Sequence, residues 1–279
     1  MANEATTTSL NDLLPSIVAE AMFQAQEASI MRGLVKNFAL GANNGKTVTV
    51  PTYPLIAAAG VAEGTDLSNT AVATGGAVLT VAEVGVMATV TDLALRSSAS
   101  NVIADIGKLM GNAIAKKMDQ DLIAEFANFA GTIGAVDAPF TAAQIFEAVA
   151  RLRQNGVSGA DIVCVVNPLI AYDMKAALTN TLNGSEIQNT AMRSGYVGSL
   201  AGVAVYETNN VAHTTGDSIG GIFHRDALGL ATMQDIQIET QRDASLRASE
   251  LVATAVYGAG TLFASYGFQM SADSTLADA

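Results

Sequence analysis

Residues 101–129 read NVIADIGKLMGNAIAKKMDQDLIAEFANF and carry the strongest periodic signal in the chain. Val102, Ile106, Leu109, Ala113, Ile114, Met118, Leu122, Phe126 and Phe129 hold a helical period, while Asp105, Lys108, Lys116, Lys117, Asp121 and Glu125 largely face away. Ser98, Ser100 and Asn101 are cap candidates just ahead of them. The pattern predicts a helix over about 101–129, and these 29 residues at roughly 1.5 Å each make a rod of ~44 Å. That is long for an ordinary globular domain, so the rest of the chain has to be built along it.

Upstream, Val78, Thr80, Ala82, Val84, Val86, Ala88 and Val90 alternate with Leu79, Val81, Glu83, Gly85, Met87 and Thr89, which predicts one long strand with two faces. An earlier run, Thr47-Val48-Thr49-Val50-Pro51, alternates in the same way. Between them lies LIAAAGVAEGTDLSNTAVATGG (55–76), small residues and turn formers with little periodicity. Together they predict an extended hairpin with an irregular tip. Two strands alone are only marginally stable in water, so such an arm needs another surface for support. Ahead of it, Leu13, Leu14, Ile17, Val18, Ala21 and Met22 follow the cap candidates Ser9 and Asn11 and predict a short amphipathic helix outside the central body.

Gly41, then Gly45-Lys46-Thr47, resembles a phosphate-binding loop at first sight. Only Ala42, Asn43 and Asn44 separate the two glycines, one residue short of the spacing that wraps a phosphate. A strand and Pro51 follow the lysine where that loop requires a helix N-terminus. Asn43-Asn44-Gly45 instead reads as a turn launching the strand.

Downstream, a Gly-rich break at Gly131, Gly134 and Pro139 precedes TAAQIFEAVARLRQN (141–155), with Thr141 as N-cap, Gln144 at the capping-box position and Gly156 closing the helix. ADIVCVVNP (160–168) is a near-continuous apolar run, a strand covered on both faces. Pro168 opens another helix, residues 179–199 read as a loop, and LAGVAVYETNNV (200–211) is a strand running into a turn at Asn209-Asn210. Short strands are expected around IGGIFH, DIQIETQ and ELVATAVYGAGTLF, before a polar tail, SADSTLADA.

A search for chemistry returns no catalytic, cofactor-binding or metal-ligating residue. The two histidines, His213 and His224, have no second ligand at a helical spacing. Ser199 in GSLAG lacks the spacing of a nucleophile elbow. Cys164 sits inside an apolar strand and reads as a buried core residue. Arg242 to Glu250 is rich in opposite charges and reads as a solvated or subunit-bridging salt network. The net charge of −12 argues against a grip on nucleic acid that depends on neutralising phosphates. Aromatic residues are only 5% of the chain, which suits thin packed layers more than a deep ligand pocket. No basic signal segment opens the sequence and no apolar run reaches membrane-spanning length, so synthesis in the cytoplasm is expected.

The order of elements resembles the major capsid proteins of tailed bacteriophages, which share the HK97 fold. An arm, a long hairpin, a very long helix, a second helix, a buried strand ending in Asn-Pro, a looped region and late strands follow one another over essentially the entire chain. VVNPLIAYDM (165–174), GSLAGVAVYETNNV (198–211) and RASELVATAVYG (247–258) are the stretches most similar to that family. The resemblance implies an α+β HK97-like fold with an N-terminal arm at 1–40, an E-loop hairpin at 41–95, a P-domain with its spine helix at 96–160, an A-domain at about 161–235, and returning P-domain strands and tail at 236–279. It implies a structural protein and no enzyme: a self-assembling protein whose hexamers and pentamers form an icosahedral head shell around double-stranded DNA, with no cofactor, no metal and no membrane. The implied partners are further copies of the chain, a portal protein at one vertex and, optionally, a decoration protein. About 40 residues precede the hairpin, so a separate scaffolding protein is expected. The tip from Leu55 to Gly76 contains no lysine, so a non-covalent shell is expected in place of a lysine–asparagine crosslinked one. The virion capsid, assembled in the host bacterial cytoplasm, is the implied location. The rival readings are an encapsulin-like nanocompartment of the same fold enclosing a cargo enzyme and, more distantly, a soluble enzyme.

Overall fold

The computed structural model describes residues 4–5, 29–41, 45–53, 56, 58, 60–64, 66, 71, 72, 74–97, 102–181, 199–200, 202–214 and 217–276. The expected N-terminal amphipathic helix, and most of the loop expected at 179–199, lie outside them. Two sheets and a small hairpin make a mixed α+β architecture. The first sheet has five strands in the order β1 (Glu4–Ala5), β5 (Ala82–Thr91), β13 (Ala248–Thr261), β12 (Leu228–Asp243) and β2 (Lys36–Ala39). Its three central strands are antiparallel, and the two short edge strands are parallel to their neighbours.

The second sheet contains β6 (Thr132–Pro139), β14 (Gly267–Asp273), β11 (Asp217–His224), β7 (Ile162–Val166), β9 (Val203–Glu207) and β8 (Ser199–Leu200) in that order, with β10 (His213–Thr214) paired to β11. Helices α4 (Ala142–Gln154) and α5 (Pro168–Thr181) cover one of its faces. Strand β7 is buried along its whole length, as its apolar run predicts. Ile162, Cys164 and Val166 meet the α4 and α5 side, while Val163 and Val165 turn to the core under the long helix. Helix α4 has its predicted ends. The Gln144 side chain accepts the Thr141 N–H at 2.8 Å. At the other end, Val157 N–H reaches Leu152 O and Gly156 N–H reaches Arg153 O, a Schellman closure with Gly156 at φ 82°.

The long helix, α3, runs from Val102 to Ala124, preceded by the separate short α2 (Asp92–Ser97) and followed by a 3₁₀ turn at Glu125–Asn128. Its 23 residues span about 35 Å, shorter than the sequence predicts, because the final turn tightens. Phe129 N–H bonds Phe126 O, and that 3₁₀ step stacks the two rings with centroids 5.6 Å apart. The buried stripe is also narrower than expected. Met110, Ile114, Met118, Leu122 and Phe126 form an i+4 row that runs obliquely around the helix, with Ile123 beside it. Leu109 and Ala113 belong to the next row and remain exposed. The stripe packs on Val84, Val86, Ala88 and Val90 of β5 and on Leu251, Ala253, Ala255 and Tyr257 of β13.

The predicted single strand at 78–90 is two strands, β4 (Gly75–Thr80) and β5, and its inward face changes at the break. Leu79 and Val81 are buried before it, and Val84, Val86, Ala88 and Val90 face inward after it, while Val78, expected on the same face as Val84, is exposed. The cause is a change of partner. Strand β4 pairs with β3 (Thr47–Thr52), Val81 N–H bonds the Lys46 carbonyl, and β5 then joins the large sheet. At this crossing the Thr80 carbonyl lies over Gly258, where an added Cβ would sit 2.2 Å from it.

Three further expectations are corrected. The Gly-rich break contains β6, which pairs in parallel with β14. The late strands are long, with 16 residues in β12 and 14 in β13, because they support each other along nearly their full length. The start of the polar tail, Ser271 to Asp273, is the end of β14, with Ser271 and Ala272 buried because that strand is flanked on both sides by β6 and β11.

Two glycines in long elements should respond in opposite directions. Gly258→Ala pushes a methyl into backbone and should cost about 2 kcal/mol or more. Gly111→Ala, in α3 with nothing within 4 Å of the added carbon, should stabilise by up to ~1 kcal/mol. Urea unfolding of the two variants beside the parent checks both signs.

Candidate assembly surfaces

The residues with chemistry-bearing side chains in the sequence fall on separate elements. Gly45 has φ 82° and opens β3, while Asn43 and Asn44 lie outside the described residues. His213 pairs its Nδ1 with Ser218 Oγ at 2.8 Å, and His224 Nδ1 accepts Asp226 N–H at 3.2 Å. Ser199 belongs to the two-residue strand β8. Cys164 is fully buried with its Sγ 3.7 Å from Met270 Sδ, and burial pushes its thiol up to about 12, far from the thiolate that a nucleophile needs. Among the described residues, no group of three or more His, Cys, Asp or Glu is placed to hold a metal ion. No helix among them is long and apolar enough to cross a membrane.

What the fold does present is surface. Strands β3 and β4 form a two-stranded sheet of their own, in register from Thr47↔Thr80 to Thr52↔Gly75. Its base is anchored by Leu79 and Val81, which pack with Ala231 and Leu262 and with half-buried Phe38, Val48, Val50 and Met233. Large apolar side chains also meet solvent: Val78, on the face opposite Leu79, is 59% exposed, and beyond the paired strands Tyr53 is 68% and Ile56 62% exposed, with Val61 and Val72 also exposed. A two-stranded projection carrying apolar groups at its outer end is a surface built to be covered.

The charged stretch at 242–250 turns out to close the β12–β13 hairpin within one chain. Arg242 grips Asp92 at the start of α2 with two bonds of 2.7 Å, a bidentate fork. Asp243 Oδ1 accepts Ser245 N–H, Ser245 Oγ and Leu246 N–H, and Arg247 takes φ 50° to complete the turn. The network is solvent-facing, as one of the two sequence readings has it.

Sequence reasoning missed Asp119. This carboxylate on α3 is fully buried, with no exposed surface. Its Oδ1 accepts Ser29 Oγ at 2.7 Å and Met31 N–H at 3.3 Å; its Oδ2 accepts Ile30 N–H at 2.9 Å and Asn210 Nδ2 at 3.3 Å. A signal was present in the sequence, because Asp119 stands four residues before Ile123 and seven before Phe126, on the buried face.

The Arg242–Asp92 fork gives a pH prediction. The hydrogen bond and charge of Arg242 hold the Asp92 carboxyl below its usual range. A depressed carboxyl stabilises the folded state above its unfolded-state value, and that contribution fades as pH falls through the folded-state value. Arg242→Gln should therefore flatten part of the loss of thermal stability seen on acidification below about pH 4, as read from melting temperatures of both proteins across pH.

Comparison with known proteins agrees with this geometry. A family model described as "Phage capsid protein" matches residues 76–268, well over half of the chain. No curated protein matches. Among solved structures, the chain is similar to the capsid of cyanophage P-SCSP1u at 20% identity, covering 97% of this chain and 96% of that one with a TM-score of 0.77. It is similar to a chain of Mycobacterium phage Che8 at 21% identity, with 93% and 97% covered and a TM-score of 0.74. It is also similar to the acid-stable capsid of Helicobacter pylori bacteriophage KHP30 at 11% identity, with 98% and 99% covered and a TM-score of 0.75. The shared fold is the HK97-like α+β fold that the order of elements predicts. With a family model spanning both sheets and the long helix between them, the chain belongs to the phage capsid protein family and is a structural protein of the head shell.

Proposed function

We propose that the chain assembles as hexamers and pentamers into an icosahedral shell that encloses double-stranded phage DNA, and that it does so without catalysing a reaction. The observation that carries this reading is the β3–β4 projection with Tyr53, Ile56 and Val78 exposed. In this reading residues 1–40 are the N-terminal arm, 41–95 the E-loop lying on a neighbouring copy, 96–160 the P-domain with its spine helix, 161–235 the A-domain, and 236–279 the returning P-domain strands and tail. The net charge of −12 suits a container whose wall must not hold its DNA tightly. A separate scaffolding protein, a portal protein at one vertex and an optional decoration protein are the further partners, and assembly takes place in the host cytoplasm. The phage capsid family match favours a DNA-filled head over a cargo nanocompartment.

Electron microscopy of the full chain, produced with and without its neighbouring genes, tests the reading. Closed shells, rings of five or six, or curved sheets are expected, and a uniform small oligomer under all conditions would overturn it. Replacing Tyr53 and Ile56 together by Asp should abolish closed shells while leaving the melting temperature of the unassembled chain nearly unchanged, because both side chains are solvent-exposed. Shells boiled in SDS should run as one band of single chains, and a ladder of oligomers would contradict the expected absence of crosslinks.

A further inference from the structure

Asp119 stands where three parts of the chain meet. The first is α3 itself. The second is the segment from Ser29 to Leu34, which runs through α1 (Met31–Leu34) into β2 on the edge of the five-stranded sheet. The third is the loop Thr208–Val211, which follows β9 and is tied to the second sheet by Thr208 N–H on Val166 O and by Asn167 Nδ2 on Val211 O. Four donors converge on the two Asp119 oxygens, three from the Ser29–Leu34 segment and one from the loop. Buried beside them, Asn210 makes no bond through its Oδ1, and its Nδ2 is aimed at the carboxylate. Met31 and Val35 are fully buried in the core cluster of α3, so this segment is seated by apolar packing as well as by the bonds.

A charged acceptor suits this place because every neighbour is a donor. In either orientation a neutral amide would present its NH₂ to a backbone N–H, that of Met31 or that of Ile30, and an apolar residue would strand all four donors. We infer that Asp119 is a positioning residue for shell assembly: it holds the segment from Ser29 to Leu34, and with it the start of edge strand β2, to α3 and ties that junction to the second sheet through Asn210. The inference rests on the capsid reading for its consequence, although the junction itself is read from the bonds alone. An edge strand and a long helix held in one fixed relation to both sheets present the same surface to each neighbouring copy, and a loosened junction does not.

The test compares the parent with Asp119→Asn and Ser29→Ala, each as the full chain expressed with its neighbouring genes. Hydrogen exchange followed by mass spectrometry reads the peptide over 29–35 and, as a distant control, the peptide over β7. Electron microscopy reads the particles. Exchange at 29–35 should rise about tenfold or more in Asp119→Asn, with β7 protection unchanged, and aberrant or open particles should replace closed shells. Ser29→Ala should shift both in the same direction by a smaller amount. The double variant should be little worse than Asp119→Asn alone, because the Ser29 hydroxyl acts through Asp119. Unchanged exchange at 29–35, or shells of parental form from Asp119→Asn, would overturn the proposal. So would a uniform rise over both peptides in both single variants, which is what a merely structural role gives. If Asp119→Asn does not fold, Ser29→Ala decides by the same two readouts, parental behaviour in both counting against the proposal. If the parent forms no particles, the capsid reading fails, while the exchange comparison still decides whether Asp119 holds this segment.

Discussion

The end of α3 is where the two sheets are joined. Phe126 and Phe129 reach out of the tightened last turn and meet Phe223 of β11, with ring centroids 5.3 and 6.0 Å away. They can do so only because two glycines leave room. A Cβ on Gly221 would lie 2.8 Å from the Phe126 ring, and one on Gly267 would lie 2.6 Å from that of Phe129. The same helix, farther back, lies over β5 and β13 through its i+4 row of apolar side chains. One rod therefore belongs to two cores at once. The position of one sheet relative to the other depends on aromatic rings seated on bare backbone, where close packing leaves little freedom.

From that constraint the rest follows in order. The five-stranded sheet offers α3 a face of small and branched residues, Val84, Val86, Ala88, Ala253 and Ala255, which lets the helix come close. The second sheet is sandwiched between the α4 and α5 layer and the aromatic end of α3, so β7 has no solvent face. The β3–β4 hairpin belongs to neither layer. It packs on the body through Leu79 and Val81 with Val48, Val50 and Ala77 beside them, and among the described residues Tyr53, Ile56 and Val78 stay exposed. A body so rigidly joined, carrying a projection so incompletely covered, is suited to a structural role in which neighbouring copies supply the missing surface.

Legibility in the sequence tracks the range of the interactions. Helix α4 was readable to its ends because Thr141, Gln144 and Gly156 act within a few residues of one another. Strand β7 was readable because burial on both faces writes an unbroken apolar run. The face change at Val81 was not, since it arises from Gly258, far away in the chain, and from a change of pairing partner. Strands β6 and β14 were missed for the same reason. Their parallel pairing joins residues more than a hundred positions apart, and neither Gly134 nor Ser271 resembles a strand residue locally. For the candidate surfaces, the hairpin was visible as alternation around a featureless tip, whereas Asp119 was hidden by the habit of assigning charged residues to the outer face of a helix. Its place on the apolar stripe was in the sequence, but its four donors come from segments about 90 residues away on either side.

The most direct measurement is a reconstruction of the assembled particle by electron cryomicroscopy at side-chain resolution. The account predicts a closed shell in which the β3–β4 hairpin of each copy lies on a neighbour, with Tyr53 and Ile56 covered, while Phe126 and Phe129 keep their seats on Gly221 and Gly267. A shell in which the hairpin contacts only its own chain, or faces solvent along its whole length, would contradict it.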